Sequence, residues 1–511
     1  MKKFLALILS IAMVLSLAAC GETKEPASVD STTPEGAQTT YKDTIVVGTT
    51  AAVAELDSQE MSKTVDYMSH RLTHDTLFRY DEETKELSPW LCESWEIDGA
   101  TWTLHLRDDV SFSNGAPFTA EDVKYTFERG CESSQIASYC KKIDNIEIVD
   151  EHTIKITWVS VNVDMGGLFT NAKYSMLSKA ACEGDPAKGY EIGTGAYTLE
   201  ELFDNSYAIY KKNDNYWGEK PITETIEFRY ISEASARLIA LQNGEIDMCI
   251  SPATTELDYI RDDATLDLIE VPGASTAYLA LNMNKAPFDN LEFRKAVAYA
   301  INKQELIDIV VDGLGSIAKS TIGPNCAAYC DDDLSGYEYN PEEAKAIIAA
   351  NGWEGTTIKI YCQDSGEPPK TAEVVQAQLK DVGIQVDIVK LASAELKAAA
   401  KAGEHEGYIA KISVSDYADA VRTMLYAGAG YNYAFYENSE LDALVDEGVT
   451  LTDNAARKAV YVKLQQGVFD ENFYFIPFFR ANSTVATVKG LGGVDYRSDL
   501  ILDMAHAYIA E

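Results

Sequence analysis

Basic residues are scarce in this chain. Its 511 residues hold 43 Lys and Arg against 81 Asp and Glu, a formal net charge of −38. That imbalance excludes nucleic acid as a partner, because phosphate backbones are held by Lys and Arg. It also argues against a protein that lies flat on an anionic membrane. Net charge speaks first to solubility, so an acidic solvated surface is the plain reading, and a preference for cationic or zwitterionic ligands is the functional one. Beyond the first twenty residues no apolar run approaches the length of a membrane span. The cysteines include no Cys-x-x-Cys pair, which leaves neither a zinc ribbon nor a thioredoxin-like site. There is no Gly-x-x-x-x-Gly-Lys to cradle phosphates and no Gly-x-Ser-x-Gly nucleophile elbow. His70 and His74 are spaced to share a helix face, but the residues between them include no Glu, so the metalloprotease motif is missing too. A structural or surface role is expected for that pair, and a polar loop for His405. No repeat of fixed period appears.

What is present begins at the N-terminus. Lys2 and Lys3 precede an apolar run, Phe4 to Val14, broken only by Ser10, and Leu17-Ala18-Ala19-Cys20 closes it. The run is too short for a transmembrane helix and ends in small residues, which reads as a signal peptide over residues 1–19. Leu-Ala-Ala-Cys resembles the bacterial lipobox. That resemblance implies a diacylated thiol and a mature chain starting at Cys20, held at the outer face of the cell membrane, since stable anchoring takes more than one acyl chain. Gly21 to Thr40 is rich in Thr, Ser, Glu, Gly and Pro, so residues 20–40 read as the lipidated Cys and a flexible tether. Gly21 also stands where two-membrane cells use Asp to retain lipoproteins at the inner membrane, so a Gram-positive-type envelope is expected.

About 470 residues remain after the tether, enough for two or three lobes. Folded structure is expected from Thr44, where Ile45-Val46-Val47 reads as a buried strand. Trp102, Leu104 and Leu106 alternate with polar residues, as do Ile154, Ile156 and Trp158, the period-two signature of half-buried strands. Thr119 to Asp122 resembles a capping box with Asp in place of Glu. Further on, Asn340-Pro341 opens a helix that Gly352 ends. Thr356–Tyr361, Ala372–Val382 and Ile384–Val389 read as strand, helix and strand, which implies a parallel pair. A long helix is expected over Asn454–Phe469. The apolar strands Ala277–Met283 and Phe473–Phe479 read as hinge segments between lobes. Cys92 and Cys249 look like small buried hydrophobes, whereas Cys131/Cys140 and Cys326/Cys330 are close enough in sequence to pair.

The order of motifs is more specific than any one of them. Leu87-Ser88-Pro89-Trp90-Leu91-Cys92-Glu93-Ser94-Trp95 is followed by Trp102 to Val110 and by Phe118-Thr119-Ala120-Glu121-Asp122-Val123. Next come Gly193-Thr194-Gly195-Ala196-Tyr197, Asn215-Tyr216-Trp217 and Ala240 to Asp247. Leu281-Asn282-Met283-Asn284, Pro287-Phe288 and Arg294 to Ile301 complete the series. In this order the blocks resemble the family 5 solute-binding proteins, the peptide- and nickel-binding subunits of ABC importers, over about residues 44–490. The resemblance implies an α/β, periplasmic-binding-protein-like class II (cluster C) fold: two α/β lobes joined by a hinge, plus a smaller β-rich inserted lobe. Mapped onto this chain, lobe I takes residues 41–72, 185–275 and 476–511, lobe II takes 73–184, and lobe III takes 276–475. A ligand would be engulfed between lobes I and III by hinge closure, and the implied protein is a monomeric, non-enzymatic receptor without a cofactor, serving a separate ABC permease and ATPase.

The resemblance also points to a site. In peptide-binding members an acidic residue pairs with the peptide α-ammonium, and Ser413-Val414-Ser415-Asp416-Tyr417-Ala418-Asp419-Ala420 stands at the matching place. Asp416 takes the amine role, because a buried ammonium needs a carboxylate partner. Asp419 is the substitute, and Ser413, Ser415 and Tyr417 flank them. The family's aromatic or Cys before the Asp and its later Pro are replaced here, which leaves the ligand class open between oligopeptides or dipeptides and a nickel chelate, opine or oligosaccharide. Tyr431 and Tyr433 offer flat amphipathic surface. Thr49 and Thr50 are placed to bond a ligand's main chain, and Arg422 is a candidate for its carboxylate. A lipid-anchored hydrolase or adhesin is the alternative of a different class.

Overall fold

Strand Thr44–Thr49 forms where Ile45-Val46-Val47 demands burial, with Ile45 and Val47 fully enclosed. In the computed structural model, which describes residues 40–81, 86–324, 326, 328–413, 420–497 and 501–510, this strand sits inside a seven-stranded sheet. The order across that sheet is Leu266–Val271, Ser483–Val488, Met248–Ile250, Thr44–Thr49, Thr225–Tyr230, Tyr207–Lys212 and Tyr197–Phe203. Thr44–Thr49 runs parallel to both neighbours, and the remaining pairs are antiparallel. Residues 41–511 form one compact unit. The expected signal peptide, Cys20 and the tether as far as residue 39 lie outside the described residues. Among the described residues no helix is long and apolar enough to cross a membrane.

A second, six-stranded sheet carries the later half of the chain. Its order is Gly315–Ile317, Phe475–Ala481, Ser275–Leu281, Gly407–Ser413, Thr357–Gln363 and Gln385–Leu391. Thr357–Gln363 and Gln385–Leu391 are parallel, as their strand–helix–strand order requires. The helix between them spans Pro368–Asp381, starting four residues earlier than its apolar period suggested. Two prolines open it, where no backbone donor is needed. Asn340 caps helix Pro341–Asn351 by accepting from the Glu343 N–H, and Gly352 ends it at φ 68°, as read from sequence. Helix Asn454–Gln465 is shorter than expected and passes into a π-helical turn, Gln466–Glu471. Phe293, Ala296, Val297, Ala300 and Ile301 are buried against this sheet.

The inserted part is a four-stranded antiparallel sheet, Cys92–Asp98, Thr101–Leu106, Thr153–Trp158 and Ile143–Asp150. Trp102, Leu104, Leu106, Ile154, Ile156 and Trp158 all point into one core, so the period-two reading holds. The capping box at Thr119 also forms, with the Thr119 N–H donating to the Asp122 carboxylate at 3.0 Å. Two α/β bodies and a β-rich insert are thus the architecture expected.

The hinge lies beside the two apolar strands rather than in them. Ser275–Leu281 and Phe475–Ala481 pair with each other inside the six-stranded sheet. The chain passes to the seven-stranded sheet just before the first, at residues 272–274, and just after the second, at Asn482. The two crossings touch: a Cβ on Gly273 would meet the Ala481 carbonyl oxygen at 2.0 Å, so only glycine fits there.

One buried carboxylate gathers donors from the insert and from the seven-stranded body. Asp75, 4% exposed, accepts from Trp90 Nε1 at 2.7 Å, from Thr194 Oγ1 at 3.0 Å and from Trp217 Nε1 at 3.2 Å. Arg79 lies 3.8 Å away, stacks on the Trp90 ring and pairs with Asp503 at 2.9 Å. Gly193 and Gly195 flank Thr194 because side chains there would strike the carbonyls of Thr73 and Leu72, at 2.0 and 2.5 Å.

A bridge also joins the insert to the six-stranded body. The Val163 N–H donates to the Val449 carbonyl at 2.8 Å, and Tyr461 OH donates to Asp164 Oδ2 at 2.6 Å, with Arg457 at 3.8 Å from the same carboxylate. Burial, with the Asp164 charge beside it, pushes the Tyr461 phenol far up, so it stays a donor at all physiological pH. Tyr461→Phe is expected to cost about 1.5–3 kcal/mol, the worth of a hydrogen bond to a charged group. Urea unfolding of the variant checks this, and an unchanged midpoint would show the bridge to be energetically idle.

Candidate functional site

Strand Gly407–Ser413 delivers the predicted ligand segment. It lies between Ser275–Leu281, antiparallel, and Thr357–Gln363, parallel, and its last residue, Ser413, is in register with Ser275. Ser275 is two residues past Gly273, so the strand ends beside the hinge crossing. Val414, Ser415, Asp416, Tyr417 and Asp419 lie outside the described residues, and of Ser413 only the backbone is described. The chain is described again from helix Ala420–Leu425.

The seven-stranded sheet brings its own strand end to the same crossing. Thr49 closes strand Thr44–Thr49, one residue past the pairing of Gly48 with Cys249. Ile250, the next residue on that neighbouring strand, pairs with Val485, which follows the second crossing closely. Crevices outside the carboxyl ends of parallel strands are where open α/β sheets bind ligands. Thr49 is buried, and its hydroxyl donates to the Ala51 carbonyl at 2.8 Å, whereas Thr50 is exposed. Of the two threonines, Thr50 has the side chain open to solvent.

Tyr431 and Tyr433 are brought together with two tyrosines that the sequence did not single out. Tyr433 is buried, with its ring 4.8 Å from Tyr408 and 6.3 Å, edge on, from the half-exposed Tyr431. Tyr278 pairs with Ala410 and Tyr408 with Ala280, so the two rings share one face of adjacent strands as diagonal neighbours. Burial pushes the phenols of Tyr278, Tyr408 and Tyr433 up, and neighbouring phenols add to it: Tyr431 beside Tyr433, Tyr433 beside Tyr408, and all three beside Tyr278. The cluster therefore presents neutral donors and flat apolar faces. His405, expected in a polar loop, is instead enclosed beneath it. Its Nε2 donates to the Tyr433 carbonyl at 2.8 Å, and burial lowers its pKa, keeping the ring neutral. The flanking Glu404 is exposed, and Glu406 turns to accept from the Lys359 N–H at 2.6 Å.

Beside the strand is a cavity of about 310 Å³ lined by Gln363, Ser365, Glu367, Leu396, Tyr408 and Lys411, among others. Lys411 pairs with Glu367 at 2.8 Å. Arg422 is committed elsewhere: it donates to Asp446 Oδ1 at 2.5 Å and lies over the Tyr426 ring. A ligand carboxylate would have to displace Asp446 to use it. Arg237 is a residue the sequence reading missed. Its buried guanidinium donates to the carbonyls of Ile231, Ser232, Ile250 and Ser251 at 2.6–3.0 Å, tying together the ends of strands Thr225–Tyr230 and Met248–Ile250 at the hinge edge. Among the described residues no cluster of three or more His, Cys, Asp or Glu is arranged to hold a metal ion.

Residues 86–434 match the model described as bacterial extracellular solute-binding proteins, family 5 Middle. The chain belongs to this family. It is 26% identical over 504 residues to heme-binding protein A of Haemophilus influenzae, covering 91% of each chain. It is 30% identical over 371 residues to the dipeptide-binding protein of Escherichia coli, covering 65% of this chain and 69% of that one. The solved structure of HbpA2 from Haemophilus parasuis superposes with a TM-score of 0.84 at 23% identity, over 92% of this chain and all of the other, which establishes the shared fold. Family members are extracellular or periplasmic solute-binding proteins, and these relatives are substrate-binding transport proteins rather than enzymes.

Proposed function

We propose that this family 5 protein is the peptide receptor of an ABC importer, held at the outer face of the membrane by a lipid on Cys20. The observation that carries the site is the position of Ser413: the strand leading to Asp416 ends at the hinge, in register with Ser275. In this reading lobe I (41–72, 185–275, 476–511) and lobe III (276–475) close on a peptide, and lobe II (73–184) is the smaller insert. Asp416 receives the peptide ammonium, with Asp419 as its neighbour. Ser413, Ser415 and Tyr417 meet the peptide main chain, together with the end of strand Thr44–Thr49 at Thr49 and Thr50. Tyr431 and Tyr433 form part of the wall. The loaded protein delivers its cargo to the permease and its ATPase, working as a monomer.

A thermal-shift panel separates the ligand classes. Tri- to pentapeptides at one hundred times their Kd should stabilise the protein by about 2.7 kcal/mol. Nickel(II), heme, opines and oligosaccharides should leave the melting temperature unchanged. A shift with heme or nickel and none with peptides would overturn the peptide assignment. Asp416→Ala should weaken peptide binding by more than tenfold, since a buried ammonium would lose its carboxylate. Normal binding by that variant would remove Asp416 from the site.

A further inference from the structure

Two cysteines bracket the segment that joins the insert to the seven-stranded body. Helix Ala120–Gly130 is followed at once by Cys131, and the short helix Ala137–Cys140 ends on the second cysteine. A Cβ on Gly130 would lie 2.6 Å from Cys140 Sγ, so the sulfur of Cys140 rests over the residue next to Cys131. Cys131 Sγ donates to the Phe127 carbonyl at 3.6 Å, and burial pushes both thiols up, that of Cys140 to about 12. Cys131 is half-buried and open to solvent on one side, whereas Cys140 is 1% exposed. Both are thiols in this structure.

The segment between them grips residues 57–60. Ser133 Oγ donates to the Gln59 carbonyl at 2.7 Å, and Ser134 Oγ donates to Glu60 Oε2 at 2.8 Å. Just before Cys131, Arg129 pairs with Asp57, its NH1 at 3.0 Å from Oδ1, and Gln59 Nε2 donates to the Thr126 carbonyl at 2.7 Å. Anything that stiffens residues 131–140 therefore stiffens the junction between the two bodies.

We propose that Cys131 and Cys140 are a redox site: a reversible intramolecular disulfide that clamps this segment onto residues 57–60, formed by exchange with a low-molecular-weight or protein disulfide. The half-exposed Cys131, as its thiolate, attacks one sulfur of the oxidant, forming a mixed disulfide and releasing one thiolate. Cys140 then attacks Cys131 Sγ and expels the second thiol. The Cys131–Cys140 bond replaces the oxidant's S–S bond; two electrons and the two cysteine protons leave with the oxidant, which becomes two thiols. With the Cys140 sulfur seated over Gly130, the residue before Cys131, release of Cys131 Sγ from the Phe127 carbonyl by a side-chain rotation turns it toward its partner.

Full-length protein incubated with oxidised glutathione, alkylated and digested with trypsin should yield peptide 130–141 lighter by two hydrogen atoms and without alkylation. Protein kept in dithiothreitol should give the doubly alkylated peptide. Oxidation should raise Tm by about 2–3 °C, the effect of closing a short loop in a chain this size. Cys131→Ser should abolish that shift. Double alkylation after oxidation, a glutathione adduct on Cys131 alone, or a Tm shift that persists in Cys131→Ser would each overturn the proposal; the peptide mass on the unmutated chain decides it even if the variant folds poorly.

Discussion

Asp75→Ala is expected to cost about 3–5 kcal/mol of stability, the loss seen when one partner of a buried charged network is removed. Three donors would be left in the buried junction without their acceptor: the indole N–H groups of Trp90 and Trp217 and the Thr194 hydroxyl. Each stranded donor carries its own desolvation cost, about 1–3 kcal/mol. Arg79 would keep Asp503 at 2.9 Å, so its charge stays paired and the loss stays within that range. Asp75→Asn keeps one carbonyl acceptor and should cost less than half as much. Chemical unfolding of the two variants checks both numbers. Equal, small losses would mean that the junction relaxes to let water satisfy these groups.

The second large effect is a loss of stability in acid, centred on His70 and His74. Their rings stack 3.9 Å apart at 10°, both buried, at the end of helix Thr64–Thr73. His74 lies one residue past the helix end, with its Nδ1 2.8 Å from Thr73 Oγ1. Burial pushes its pKa from an ordinary 6.5 down to about 3, and burial, with His74 and Arg71 alongside, drives His70 well below the usual range. The unfolded chain therefore binds protons that the folded chain refuses between those values. The stabilisation is fully present above pH 6.5 and drains away as the pH falls toward 3. For His74 alone this amounts to roughly 2.5 kcal/mol between pH 7 and 4.5. Folding free energies measured across that window should fall more steeply for the natural protein than for His74→Phe. Parallel curves would place the acid sensitivity in the carboxylates instead.

Both effects involve residues that were hard to weigh from sequence. Trp90, Thr194 and Trp217 stand in the motif blocks that identified the family, yet nothing near Asp75 marked it as the point where those blocks meet. Its partners are 119 and 142 residues away along the chain for Thr194 and Trp217. Local signals fared better. Alternation placed the insert strands, Asn340 and Gly352 bounded their helix, and the Thr119–Asp122 cap formed with its unusual Asp.

The site was legible in the sequence through the family resemblance alone. The resemblance named Ser413 as the start of the Asp416 segment without showing that its strand ends at the hinge, and Tyr278 and Tyr408 become neighbours through a strand register that the sequence does not display. Arg422 was drawn to a ligand because Asp446, 24 positions on, was not recognised as its partner. Thr49 was read as a free hydroxyl, whereas a local bond to Ala51 takes it up. Short polar side chains at strand ends make such local bonds readily.

The central claim is that the hinge closes on a peptide whose ammonium meets a carboxylate of the segment after Ser413. Native mass spectrometry of the mature chain with a pool of tri- to pentapeptides tests it most directly, run in parallel with the same pool acetylated at its amino termini. The account predicts one-to-one complexes with the free peptides and none with the acetylated ones. Equal capture of both pools, or of neither, would contradict it.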